Sequence, residues 1–119
     1  MAKGENITQR TFELAVRIVK LAHVIARKSY IGQRIASQII GAGTSVGANV
    51  EEAQAAESKA DFIHKYRIAL KEVRETKYWL RLVVSSYLID NKRVASLLTE
   101  VDEISKIIAK IIINTKKKE

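Results

Sequence analysis

The chain has 119 residues, 47% hydrophobic and 29% charged, and its 21 Lys and Arg against 13 Asp and Glu give a net charge of +8. That is length for one domain around one core, in the composition range of folded rather than disordered chains. Cysteine and proline are both absent, which excludes disulfides, thiolate nucleophiles and thiolate metal sites and leaves long helices uninterrupted.

The N-terminal stretch MAKGENITQR has no apolar core of signal-peptide length. No uncharged apolar run approaches the ~18 residues of a membrane span. A cytoplasmic protein with no membrane partner is therefore expected. The positive charge favours polyanionic partners, nucleic acid before anionic membrane. Beside this stands the plain alternative that many small basic proteins bind neither.

The spacing predicts a first helix over about 8–28. Ile7, Thr11, Leu14, Ile18, Leu21 and Ile25 step by four and three, and Phe12, Ala15, Val19, Ala22 and Ala26 widen the stripe. Such a face is broad enough to touch more than one helix. Glu13 and Arg17 are placed as an i,i+4 pair on the wet side. His23 has no second ligand at metal spacing and reads as a surface histidine. The stretch RKSYIG, Arg27 to Gly32, makes the first turn.

A second helix follows over about 33–56, with its seam on Ile35, Ile39, Ala42, Val46, Asn49 and Ala53 and a parallel row on Ala36, Ile40, Gly43, Gly47 and Val50. Its middle, GAGTSVGAN, misses the G-x-G-x-x-G spacing by one residue, lacks a Walker lysine and follows no strand, so it does not read as a phosphate loop. Gly43 and Gly47 lie four apart on one face, where small residues let another backbone approach. Each interior glycine disfavours helix by roughly 1 kcal/mol relative to alanine, so three in one helix argue for such contact. Asn49 is placed on the buried side, either fixing register or association state or bonding to water at the helix edge. Glu51, Glu52 and Glu57 crowd a helix C-terminus, against the dipole. They are easier to understand facing a basic partner, with solvated acids as the alternative.

The third helix, about 59–88, is the longest. Its seam runs Phe62, Tyr66, Ala69, Val73, Thr76, Leu80, Val83, Tyr87, and Ser58 with Asp61 makes a near capping box. On a wheel of about 100° per residue, Arg67, Lys71, Arg74, Tyr78 and Arg81 share one arc, with Lys77 and His64 at its margins. Glu72, Glu75 and Trp79 take a third arc. After a turn capped at Asp90, the fourth helix runs over about 92–114 on Val94, Leu97, Val101, Ile104, Ile108 and Ile111, broadened by Leu98, Ile107, Ile112 and Ile113. Asp102 and Lys106 are placed as a second i,i+4 pair. The tail TKKKE reads as a short basic terminus.

Four helices with short links make an all-α, antiparallel up-down-up-down four-helix bundle, one domain over 1–119. No catalytic constellation is present: the histidines are isolated, Glu51 and Glu52 point in different directions, and no paired Glu-x-x-His motif offers a di-metal site. No enzyme, metal or cofactor is expected. The row Arg67, Lys71, Arg74, Lys77, Tyr78 and Arg81 can instead follow a phosphate backbone, its aromatic stacking on unpaired bases. A solvated helix face is the competing reading. Gly43, Gly47, Asn49, Glu51, Glu52 and Trp79 are the candidates for helix packing or subunit contact.

FELAVRIVKLA in the first helix, and GAGTSVGANVEEAQAAESKADFIHKYRIALKEVRETKYWLRLV after it, resemble the bacterial family of 23S rRNA intervening-sequence proteins, also called the S23 family. The most specific stretches are Gly43 to Asn49 with Glu51-Glu52-Ala53, and Glu75-Thr76-Lys77-Tyr78-Trp79-Leu80. The resemblance implies an antiparallel four-helix bundle that assembles into a homo-oligomer, expected as a pentameric ring. A related bundle, the accessory variability protein of diversity-generating retroelements, is a basic pentamer that binds a reverse transcriptase and nucleic acid. From this follow two expectations, an electrostatic RNA- or DNA-binding bundle and, alternatively, a protein scaffold such as an accessory subunit to a reverse transcriptase.

Overall fold

Three of the four helices begin at a side chain that satisfies a free backbone N–H of the first turn. Ser29 Oγ accepts from Gly32 N at 2.9 Å, Ser58 Oγ from Asp61 N at 3.0 Å, and Asp90 Oδ1 from Lys92 N at 3.1 Å. These caps open α2 (Tyr30–Gln54), α3 (Lys59–Ser85) and α4 (Asn91–Lys117), and α1 is Ile7–Ala26. The computed structural model describes residues 6–118, and among these there is no strand. The sequence expectations for residues 1–5 and 119 lie outside the described residues.

Short links fold the helices into antiparallel neighbours. α1 packs on α2, α2 on α3 and α3 on α4, and α1 also touches α4, closing a four-sided bundle. Its principal extents are 51 × 24 × 20 Å. The α1/α2 side therefore lies opposite the α3/α4 side. Ile18, Ile39, Val46, Leu80, Ile104 and Ile108 are wholly buried and carry the core. Two hydroxyls are buried with them, and each bonds within its own helix. Thr11 Oγ1 donates to Ile7 O at 2.8 Å and Thr76 Oγ1 to Glu72 O at 2.7 Å. Threonine thus fills a valine-shaped site with its polar atom satisfied.

The expected seams hold in their centres and shift at their ends. α2 begins at Tyr30 rather than near 33, because Ser29 caps it and Gly32 sits inside the first turn. A β-carbon at Gly32 would fall 2.3 Å from the Ile25 carbonyl oxygen, so the glycine lets this turn press on the end of α1. α1 ends at Ala26 and α2 at Gln54, both short of expectation, while α4 runs on to Lys117.

α3 stops at Ser85, and Tyr87 leaves the seam to stand 93% exposed. Its backbone takes φ 63°. Leu88 N donates to Val83 O at 3.0 Å and Tyr87 N to Val84 O at 3.1 Å. This pair of bonds is the Schellman closure, with tyrosine in the position that glycine usually takes. Ile89 is buried in its stead.

Of the other three glycines within α2, two explain the α1–α2 approach along its middle. A β-carbon at Gly43 would lie 2.7 Å from Ile18 Cγ1 and Cγ2, and one at Gly47 would lie 3.0 Å from Thr11 O. Gly41 has nothing within 4 Å, so close packing does not account for it.

Neither expected local ion pair forms, and Asp102 and Arg17 reach other helices instead. Asp102 pairs with Lys77 of α3 at 2.9 Å rather than with Lys106. Arg17 donates to Ser96 Oγ at 3.0 Å, and Glu13 accepts from Gln9 at 2.9 Å. The strongest ionic cluster was not foreseen. Arg10 Nε and Nη2 donate to the two Glu100 oxygens at 3.0 and 2.5 Å, and Nη2 also donates to Glu103 at 2.8 Å. The two carboxylates hold the Arg10 guanidinium protonated well beyond its ordinary range, against the opposing effect of burial. Such a bidentate, part-buried pair ties α1 to α4 more firmly than a surface pair would.

Candidate nucleic-acid interface

α3 buries one face in the core, so whatever lies opposite its seam must meet solvent or a partner. Arg67, Lys71, Arg74, Tyr78 and Arg81 are all exposed there, and that arc of α3 carries no acid. Their spacing of three and four residues lines them along the helix. Lys77 lies at the edge of the row, and its ion pair with Asp102 turns it toward the α3–α4 seam.

The acids of α3 keep to the other flank. Trp79 Nε1 donates to Glu75 Oε2 at 3.3 Å, and its ring meets Tyr78 edge-on with centroids 5.2 Å apart. Burial raises the Glu72 carboxyl above its ordinary pKa, Glu75 adds to the rise, and Lys71 opposes it.

The structure adds a second helix to this surface. A groove between α3 and α4 is lined by Arg67, Leu70, Lys71, Arg74, Ala109, Ile112 and Ile113. Beside it on α4, Lys106, Lys110 and Lys117 are exposed, and α4 has no acid after Glu103. On a wheel of about 100° per residue these lysines share one arc with Ile113. Reading one helix at a time missed them. Their 106–110–117 spacing was the available signal, and antiparallel packing sets it beside Arg67–Arg74.

The remaining candidates lie elsewhere. Gly43 and Gly47 are occupied by α1 of the same chain. Asn49 is half-buried and donates to Ser45 O at 2.8 Å, which makes it a helix-edge residue bonded to its own helix. Glu51 and Glu52 are exposed at the α1/α2 side. That side also carries Phe12, Val16, Val19 and Ile40, between 38% and 60% exposed. They are the outer row of α1 and its neighbour on α2, and none of the described residues covers them. Shallow grooves run along it, one past Phe12, Ala15, Thr44 and Ala48, another past Val19, His23, Ala26 and Ile40.

Among the described residues no cluster of His, Asp or Glu is arranged to hold a metal ion, and no helix is long and apolar enough to cross a membrane. What the α3/α4 face offers chemically is a set of cationic donors spread over two helices around an apolar groove.

A family model described as 23S rRNA-intervening sequence protein matches residues 4–110. The chain is also similar to a solved structure, the crystal structure of a protein with unknown function from the S23 ribosomal protein family of Bacteroides thetaiotaomicron. The two are 39% identical and superpose with a TM-score of 0.82, covering 89% of this chain and 97% of that one. No curated protein matches the sequence.

Proposed function

The chain belongs to the family of 23S rRNA-intervening sequence proteins, and from that premise we propose that it is a non-enzymatic, homo-oligomeric bundle that binds RNA or DNA electrostatically through its α3/α4 face. The observation that carries this reading is the two-helix cationic surface: Arg67, Lys71, Arg74 and Arg81 from α3 with Lys106, Lys110 and Lys117 from α4, all exposed. Cations laid along a surface displace condensed counterions from a phosphate backbone, which supplies affinity with little reading of base sequence. The arginine forks each engage two phosphate oxygens at once. Self-association is supported by the uncovered apolar α1/α2 side, since contiguous exposed apolar patches on a soluble protein mark interaction surfaces.

The test is binding of labelled RNA and DNA to the purified protein across a salt titration, with the mass measured on the same sample. Affinity should fall steeply with salt, with a log–log slope of about −4 to −6 for some five to seven neutralised phosphates. Changing Arg67, Arg74 and Arg81 together to Glu should abolish binding with helicity unchanged. A well-defined oligomer with no affinity at moderate salt would overturn this reading in favour of a scaffold for a protein partner. Unchanged binding by the triple variant would show the wrong surface had been chosen.

A further inference from the structure

We infer that the groove between α3 and α4 takes unpaired bases, so that this face binds single-stranded RNA or DNA in preference to duplex. The inference rests on the nucleic-acid reading of the same face and names its substrate class. The groove joins two kinds of surface. Arg67, Lys71 and Arg74 stand along its α3 side, while Leu70, Ala109, Ile112 and Ile113 give it an apolar lining. Ile113 is 53% exposed, and Tyr78, one turn beyond Arg74 in the basic row, is 58% exposed.

A duplex has no use for that lining. It turns phosphates and sugars outward and keeps its base faces stacked, so laying it across the groove would desolvate polar backbone against apolar side chains that offer it no hydrogen bond. An unpaired base presents two flat apolar faces beside its phosphate. Leu70 and Ile113 can cover one such face while the arginines hold the flanking phosphates, and the exposed Tyr78 ring offers the next base a stacking platform. An acidic amphipathic helix would be the other charge-complementary occupant. It needs an apolar stripe several turns long, whereas the α4 lining, Ala109 to Ile113, spans little more than one turn.

The experiment compares fluorescence anisotropy of labelled oligothymidine and oligouridine of about 20 nucleotides with a blunt duplex of equal length, at matched salt, on the full chain. The single strands should bind about tenfold more tightly. Tyr78→Ala and Ile113→Ser, both at exposed positions, should each weaken single-strand binding several-fold and leave duplex affinity, salt slope and helicity unchanged. Equal or tighter duplex binding would overturn the inference and leave the electrostatic reading standing, as would equal loss for both substrates in the variants. Binding to neither substrate would instead overturn the reading of the face itself. Capture of a designed Glu/Leu amphipathic helix, without oligonucleotide binding, would assign the groove to a protein partner and overturn both.

Discussion

Gly43 faces Ile18 so closely that a β-carbon at position 43 would stand 2.7 Å from both branches of the isoleucine. Ile18 is wholly buried, and a β-branched side chain in a helix has essentially one χ1 rotamer to occupy, so it cannot turn aside. Gly43→Ala should therefore destabilise the protein by about 1–3 kcal/mol through overpacking, even after the gain in helix propensity. Gly41, with nothing near it, is the internal control. Gly41→Ala should raise stability by up to about 1 kcal/mol. Urea denaturation of the two variants beside the wild type checks both, and a stabilised Gly43→Ala would refute the close approach.

A second expectation concerns the half-buried Glu72. Burial and Glu75 raise its carboxyl above the ordinary carboxylate range, so the folded state favours the protonated form. Its contribution to stability is complete below the unfolded pKa and is lost as pH rises through the folded one. At neutral pH the folded protein then holds a carboxylate in an unfavourable place. Glu72→Gln should raise Tm at pH 7 and change it little near pH 4. A variant equally shifted at both pH values would separate the effect from ionisation.

The Tyr87 turn gives a third. A left-handed backbone disfavours a side chain other than glycine by roughly 1–2 kcal/mol, and the exposed Tyr87 ring has no burial to offset this. Tyr87→Gly should stabilise the protein by several tenths to about 1 kcal/mol, the gain being reduced by glycine's freedom in the unfolded chain. Thermal unfolding checks it, with Tyr87→Ala, which keeps a β-carbon, expected to show no such gain.

The uncovered α1/α2 side gives a fourth. Phe12→Asp and Ile40→Asp place charges on exposed apolar positions, so the fold should be retained while self-association weakens. Light scattering should report a lower mass for the double variant than for the wild type. An unchanged mass would locate the subunit contact elsewhere.

Periodicity alone placed all four helices and nearly all of the core, because Ile18, Val46, Leu80 and Ile104 each sit in a run whose spacing has only one buried face. Ends were harder to read. Tyr87 continues the four-and-three spacing of α3, and a helix stop with tyrosine at the glycine position carries no local signal. Gly32 reads as a turn residue until Ile25 is seen pressing against it. Charge pairs were harder still: Lys77–Asp102 and Arg10–Glu100 join residues far apart in sequence, whereas local spacing suggested Asp102–Lys106 and Glu13–Arg17. The basic row of α3 was legible as one arc. Its lysine counterpart on α4 was not, since only the antiparallel register brings 106–117 alongside 67–74.

The two sides of the bundle stand back to back, α1/α2 against α3/α4. Copies joined through the first would each turn the second outward, so one assembly would offer several equivalent cationic faces to the same polymer. Once a strand is held by one copy, its next contact is intramolecular, at an effective concentration set by the length of strand between them. Avidity would then make strand length a determinant of apparent affinity: oligonucleotides too short to bridge neighbouring copies would bind weakly, and affinity would climb sharply once bridging became possible.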